Sequence, residues 1–533
     1  MKRILFWGAV CLAVLAMILG FTVYRTIKSA PRLFQLNAGL KAQGYYMAEF
    51  EFKMVSAQYL LNEGRYLEAY RTLRLIEEEL TTTQGLEKMP ATGTLQEQLN
   101  FLLDRQDPVT GAFMDSSYPF FTYFAPTCNV VQAMESLRRS AGGPLQLKAP
   151  LRFLARIQKP KELRAYLDSL LYLNEMSARL PGPGPYGPGV SEFAYFDILE
   201  RAGVHQFSEE WKLALRQWFY ETQDPLTGFW GARIGGPQEW RQRMDVNSTY
   251  HILHLVLDKQ GRNQNQKYPL RYAGKLARGI LSRMALPIPN DAAEQHDWRL
   301  VQAQGAGILT RLLWPHLSEL EQKQVRDMFR ILQARIFQFY RPDQGGFAYY
   351  TSDTRADVDG TGLALAVLQA TGFLSGTWER DRLWANLIAV ATEPVRWEVH
   401  RWEEAKLSLV DTIHSIRVYR DRPPIGDIYD DTGLVQIIYP RVSPVLDVMD
   451  LRQRLAGYLA SEGQQLGNWT AKESLRDLPL DLGRKVKSIP VSTGELDLAR
   501  IAGDHPGVER FFVIAFDLVQ VPIFHWVFIR KEL

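Results

Sequence analysis

Asp224-Pro225-Leu226-Thr227-Gly228-Phe229-Trp230 is the stretch from which the fold is read, because its phrase Asp-Pro-x-Thr-Gly-aromatic recurs. An earlier copy is Asp107-Pro108-Val109-Thr110-Gly111-Ala112-Phe113, and a degenerate later one is Asp343-Gln344-Gly345-Gly346-Phe347. The starts lie 117 and 119 residues apart. Each copy leads into a polar triplet: Thr127-Cys128-Asn129, Asp245-Val246-Asn247 and Asp357-Val358-Asp359. An apolar run of helical length follows each triplet and ends at Gly142, Gly261 or Gly372. A repeat of fixed period means that one supersecondary unit is used several times.

Each unit has room for four helices of ordinary length. Three units give twelve, with further inner-helix candidates at Ser191–Leu199 and Trp298–Trp314. The expected fold class is therefore mainly α: an (α/α)6 toroid over 95–420 whose inner-helix N-termini line a central funnel. Upstream, apolar positions at helical spacing over 44–82, with the turn Asn62-Glu63-Gly64-Arg65, predict a tetratricopeptide-like hairpin within 31–94. The glycine–proline stretch 180–189 reads as a loop over the funnel mouth. Beyond Arg422-Pro423-Pro424 the pattern shortens, and 421–533 is expected to be a small C-terminal α+β or β module. Within it, residues 511–529 are apolar but interrupted by Asp517, Gln520, Pro522 and His525. Their Val, Ile, Phe and Trp favour two strands broken near Pro522 over a membrane helix.

Residues 4–24 carry no charge and are long enough to span a bilayer. No good cleavage site follows, so 1–30 is expected to be an uncleaved membrane anchor. That makes the chain a single-pass membrane protein, with its body placed extracytoplasmically, on the periplasmic or extracellular side. Lys plus Arg is 62 and Asp plus Glu is 59. Lys2, Arg3, Arg25 and Lys28 all precede residue 31, so the body is close to neutral and offers no basic face for nucleic acid. Cys11 and Cys128 cannot form a disulfide within the body, and a small buried side chain is the expected role of Cys128.

The repeats resemble the six-hairpin (α/α)6 toroid superfamily. Gln223-Asp224-Pro225-Leu226-Thr227-Gly228-Phe229-Trp230 is similar to a segment of unsaturated glucuronyl hydrolases that precedes an inner helix. Gln344-Gly345-Gly346-Phe347, with the run from Asp357 to Gly372, resembles the prenyltransferase and squalene-cyclase repeat. Asp357-Val358-Asp359-Gly360-Thr361 looks like the acid motif of terpene cyclases, which implies Asp359 as an alkene-protonating acid; Gly360 stands where that motif has its last Asp.

Three carboxylates, Asp359, Asp357 and Asp245, are the catalytic candidates, since glycoside cleavage needs a pair whose proton affinities differ. A cross-funnel pair of Asp245 with Asp359 is one arrangement. Asn129, Asn247 and Asp359 sit where inner helices begin, as N-caps or as ligands for sugar hydroxyls. Tyr250 and His251 follow on the same helix, and Tyr118, Trp230 and Tyr349 crowd the preceding loops, where aromatic faces stack on sugars or pack between hairpins. His251 and His254 share a helix face, but no third and fourth ligand accompany them, so neither a metal nor a cofactor is expected. These readings converge on a toroid that binds or processes an envelope or extracellular polysaccharide, as a glycoside hydrolase or polysaccharide lyase if it is an enzyme. Alternatives are a terpene cyclase- or prenyltransferase-like enzyme and a non-catalytic scaffold with envelope protein partners.

Overall fold

The computed structural model describes Trp7, Met17, Gly20 and residues 32–41, 43–90, 93–141, 145–179, 184–372, 378–379, 382–384, 397–401, 406–408, 413, 415–420, 433–440, 448–462, 488–491, 495–516 and 522–530. The chain divides into two compact units, Met1–Ile308 with Leu312–Leu317, and Leu309–Arg311 with Ser318–Leu533. The division falls inside the stretch 95–420. The first two copies of the repeat belong to the first unit, and the third shares the second unit with the C-terminal strands.

The first unit begins with α1 (32–41), α2 (Phe50–Asn62) and α3 (Tyr66–Thr82). α2 and α3 form a hairpin around Phe50, Ala57, Leu73, Ile76 and Leu80. Next come α4 (Leu95–Leu103), α5 (Phe124–Ala141), α6 (Pro160–Ser169), α7 (Tyr186–Gly189), α8 (Asp197–Arg201), α9 (Glu209–Thr222), α10 (Val246–Val256), α11 (Ala273–Met284) and α12 (Ala292–Gly307). They pack as neighbours, α4 on α5, α6 on α9, α10 on α9 and on α12, and α11 on α12. Trp211, Trp218, Trp230, Phe124, Phe193, Phe219 and Phe229 are fully buried between them. Seven aromatic side chains, each removing about 150–250 Å² from water, dominate this core. A three-stranded sheet joins β1 (Tyr172–Leu173), β2 (Arg233–Gly235) and β3 (Trp240–Gln242).

The second unit holds α13 (Glu319–Ile336), β4 (Tyr340–Arg341), β5 (Gly346–Phe347) and α14 (Val358–Ala370). Then come β6 (Glu398–Arg401), β7 (Lys406–Ser408), β8 (Ser415–Tyr419), β9 (Leu434–Pro440), α15 (Val448–Ser461), β10 (Ser488–Val491), β11 (Glu495–Asp497), α16 (Leu498–Gly503), β12 (Arg510–Phe516) and β13 (Pro522–Ile529). Six of these strands form a mixed sheet in the order β10-β9-β8-β12-β13-β6. β12 and β13 pair antiparallel from Arg510–Ile529 to Phe516–Pro522. Phe511, Val513 and Ala515 face one cluster, and Ile514 and Phe516 the other. A strand buried on both faces has no polar face to show, which is why Phe511–Phe516 reads as a continuous apolar run.

Three expectations are corrected. The expected mainly α (α/α)6 toroid with a membrane helix is corrected: the structure is helix-rich, but the described residues also form four sheets, one of them six-stranded, and include no membrane-spanning helix. Among the described residues no helix is long and apolar enough to cross a membrane, so the membrane anchor, the single-pass assignment and the extracytoplasmic placement fall. Most of 4–24 lies outside the described residues; Trp7, Met17 and Gly20 within it are helical. Finally, the glycine–proline stretch is not an overhanging loop where it is described. Tyr186–Gly189 is one buried helical turn, packed so closely that a Cβ on Gly189 would sit 2.5 Å from Leu170 Cδ1. Residues 180–183 and Gly142 lie outside the described residues.

Candidate functional site

The repeated phrase is a buckle. The Asp107 carboxylate accepts the Val109 and Thr110 N–H groups at 2.9 and 2.7 Å and the Thr110 hydroxyl at 3.0 Å. Asp224 repeats this on Thr227, accepting its N–H at 2.7 Å and its hydroxyl at 2.6 Å. The preceding glutamine ties the loop to the chain ahead of the next outer helix. Gln223 Nε2 donates to the Gly228 and Arg271 carbonyls at 2.9 and 2.8 Å, and its Oε1 accepts the Arg271 N–H at 3.1 Å. Gln106 does the same with Gly111 and Ala149. The glycine is needed because φ is +81° at Gly228 and a Cβ there would lie 2.9 Å from the Leu276 nitrogen and the Tyr272 oxygen. In the second unit Gly345 stands equally close to Arg454 of α15.

Beyond each buckle, the aromatic residue donates its N–H to a threonine hydroxyl in the next helix. The pairs are Phe113 to Thr127 at 3.1 Å, Trp230 to Thr249 at 3.1 Å and Phe347 to Thr361 at 2.9 Å. The recurrence is thus satisfied by backbone and packing, and it sets where each inner helix starts. The caps fall two residues earlier than Asn247 and Asp359, at the first position of each triplet. Asp245 caps α10 by accepting the Ser248 N–H at 3.0 Å and its hydroxyl at 2.7 Å. Asp357 caps α14 by accepting the Gly360 N–H at 2.7 Å.

With Asp245 as cap, Asn247 and His251 stand one turn apart on α10. His251 Nε2 lies 3.1 Å from Asn247 Oδ1, and Gln304 of α12 donates to that same oxygen at 2.5 Å. Opposite them, the 3-10 turn Ser191–Tyr195 delivers Glu192, whose Oε1 is 3.3 Å from His251 Nε2. Tyr195 stands edge-on to His251 at 5.2 Å, and Tyr250 edge-on to His254 at 4.7 Å. His251 Nδ1 and Gln304 Oε1 are buried with no hydrogen-bond partner. The cluster therefore has spare polar capacity turned away from water.

Burial, aided by the Glu51 charge, raises the Glu192 carboxyl to about 8. Burial lowers the His251 imidazole to about 4, against a smaller opposing pull from Asp245. The separation is that of an ion pair, but desolvation disfavours both charges, so near neutral pH the contact is a carboxylic acid beside a neutral imidazole. That form and the ion pair hold the same number of protons and differ by one transfer over a hydrogen-bond length. The side chains keep 16% and 17% of their surface accessible, so the pair is desolvated without being sealed. A carboxylic acid protonated at neutral pH is what general-acid catalysis needs. Burial also lifts the neighbouring Tyr195 hydroxyl and Cys128 thiol above their ordinary ranges, so both stay neutral.

Of the residues singled out from the sequence, Asn247, Tyr250 and His251 come together here. Asp245 is close by at the helix start but is committed to its cap; burial raises its proton affinity, against Arg243. Trp230 is 1% exposed with its indole N–H bonded to the Phe219 carbonyl at 2.7 Å, so it is core and cannot stack on a sugar. Asn129 is exposed on α5, and Tyr118 is half-buried in a loop. Asp357, Asp359 and Tyr349 lie in the second unit; Asp359 is exposed, and Tyr349 packs edge-on to Tyr350 at 4.9 Å. An exposed carboxyl lacks the dry surroundings that alkene protonation requires. Among the described residues no group of three or more His, Cys, Asp or Glu could hold a metal ion.

The sequence reading missed Glu192 and Gln304. Glu192 had a signal: it is the one acidic residue in the apolar run Val190–Phe196. Gln304 had none, because its partner is 57 residues away. No family model matches this chain, and no curated protein or solved structure matches it either.

Proposed function

We propose that this chain cleaves glycosidic bonds in an oligosaccharide or polysaccharide, with Glu192 as the proton donor. The supporting observation is a glutamic acid that keeps its proton to about pH 8 while its histidine partner stays neutral. Breaking a glycosidic bond requires such a donor at the leaving oxygen. Asn247 and Gln304 add amide groups able to hydrogen-bond hydroxyls, and Tyr195 and Tyr250 add rings able to stack on a sugar face.

The test is release of reducing ends from a panel of neutral and acidic polysaccharides, comparing the wild type with Glu192→Gln. The expected result is cleavage of at least one member and loss of about 100-fold or more in the variant, the size of a general-acid contribution. If no member is cleaved, the hydrolase reading is wrong. A neutral His251 is also the state required of a base in β-elimination, which supports a lyase reading. That route would give products absorbing as 4,5-unsaturated uronates instead of plain reducing ends.

A further inference from the structure

Two oxygens compete for one nitrogen. His251 Nε2 lies 3.1 Å from Asn247 Oδ1 in a hydrogen bond and 3.3 Å from Glu192 Oε1 in a close contact. Gln304 Nε2 donates to the same Asn247 oxygen at 2.5 Å. Asn247 and His251 are four residues apart on α10, so they share a face. Gln304 reaches them from α12, which packs alongside α10. Tyr195 and Tyr250 stand edge-on to the imidazole at 5.2 and 5.7 Å and hold its plane.

An amide oxygen can only accept a hydrogen bond. Asn247 Oδ1 already accepts from Gln304, and it meets His251 at Nε2, so that nitrogen carries the hydrogen. A neutral imidazole has one N–H, which leaves Nδ1 as a bare lone pair. Nδ1 is the ring nitrogen buried without a partner, and the other unpartnered atom of the cluster is Gln304 Oε1. Both orphans are then acceptors. Turning one of the two amides over sets like against like across 2.5 Å. Turning both makes Asn247 Nδ2 donate to a bare Nε2 and to Gln304 Oε1. It also leaves the His251 Nδ1–H and the Gln304 amide N–H groups as buried donors with no acceptor, and orphaned N–H groups are rarer than under-satisfied carbonyls.

With a hydrogen on Nε2, the Glu192 proton meets no lone pair across the 3.3 Å contact. The neutral acid beside the neutral imidazole is then kept over the ion pair. We infer that Asn247 and Gln304 are positioning residues: they lock His251 in its Nε2–H tautomer, and the locked imidazole leaves the Glu192 proton for another acceptor instead of taking it. The tautomer follows from the hydrogen bonds alone; its catalytic use rests on the glycoside-cleavage reading.

The test is 15N NMR of the full chain labelled at histidine, near pH 7, with His251→Gln to assign the His251 signals. The bare and the protonated nitrogen of a neutral imidazole resonate far apart, so the spectrum names the tautomer. We expect a protonated Nε2 and a bare Nδ1 in the wild type. Asn247→Leu removes the acceptor at similar volume and should move the hydrogen to Nδ1, with Nε2 accepting from Glu192. Gln304→Leu frees the Asn247 amide to turn and should give a mixture of tautomers. On a polysaccharide that the wild type cleaves, Asn247→Leu should lose about 10-fold or more in kcat, with a smaller change in KM, because the acid stays in place while its proton is engaged. A wild type with its hydrogen on Nδ1, or Asn247→Leu and Gln304→Leu proteins that both keep the Nε2–H signal, overturns this inference and leaves the hydrolase reading standing. A wild type that shows the Nε2–H signal but cleaves nothing supports the tautomer lock and removes its catalytic use together with the hydrolase reading.

Discussion

Raising the pH from 6.5 to 8 should destabilise the first unit by about 2 kcal/mol, and Glu192→Gln should abolish that loss. Unfolded, Glu192 gives up its proton near 4.5; folded, it holds it to about 8. Between those values the native state binds more protons than the unfolded one. Stability is therefore full below 4.5 and falls by about 1.4 kcal/mol per pH unit until 8. His251 runs the other way: its folded value of about 4 lies below the unfolded 6.5, so its contribution is full above 6.5 and is lost as the pH falls towards 4. From 4.5 to 6.5 the two slopes cancel. Above 6.5 only the Glu192 slope survives, and a unit and a half of pH gives about 2 kcal/mol. Urea unfolding at a series of pH values, followed by tryptophan emission, reads this, because Trp211, Trp218 and Trp230 are buried in the first unit. The difference between variant and wild type removes the background shared by distant groups. Parallel pH profiles for the two proteins would refute the claim that the Glu192 proton is held by the fold.

Gln223→Leu keeps the side-chain volume and removes three hydrogen bonds, one buried and two part-buried, so it should cost about 3 kcal/mol in the same unfolding experiment. Gln206→Leu is its control: an exposed side chain with one 3.4 Å contact should cost less than about 0.5 kcal/mol. Gly228→Ala forces a Cβ into a left-handed backbone against Tyr272 and Leu276 and should lower stability by about 2–4 kcal/mol. Asp359→Asn should leave saccharide cleavage within about two-fold of wild type, because the carboxyl is exposed and lies outside the Glu192 unit; a large loss in a reducing-end assay would return the chemistry to the third repeat.

The sequence made the repeat legible because its glycine, threonine and acid are fixed by local geometry. Asp224 bonds residues within three positions of itself, and Gly228 must adopt a positive φ, so the phrase stays compact wherever it occurs. The same locality misled the site reading. Residues that recur for backbone reasons, such as Asp245 and Asp357, resemble a conserved catalytic set while serving as caps. The acid–base pair depends on contacts across 59 residues for Glu192 with His251, and on desolvation, which no spacing encodes. Trp230 shows the limit of reading aromatics in loops: a ring one residue beyond the buckle is drawn into the core by its threonine and carbonyl partners. The helical count also hid the division of the chain, because the third repeat has the pattern of the first two yet is built into a unit with a six-stranded sheet.

Infrared difference spectra of the full chain against Glu192→Gln, taken from pH 5 to pH 9, observe the proton itself. A protonated carboxyl band should persist at pH 7 and disappear at about pH 8. A band already gone by pH 5.5 would show an ordinary, ionised glutamate beside His251, and a proton donor at this site would be excluded.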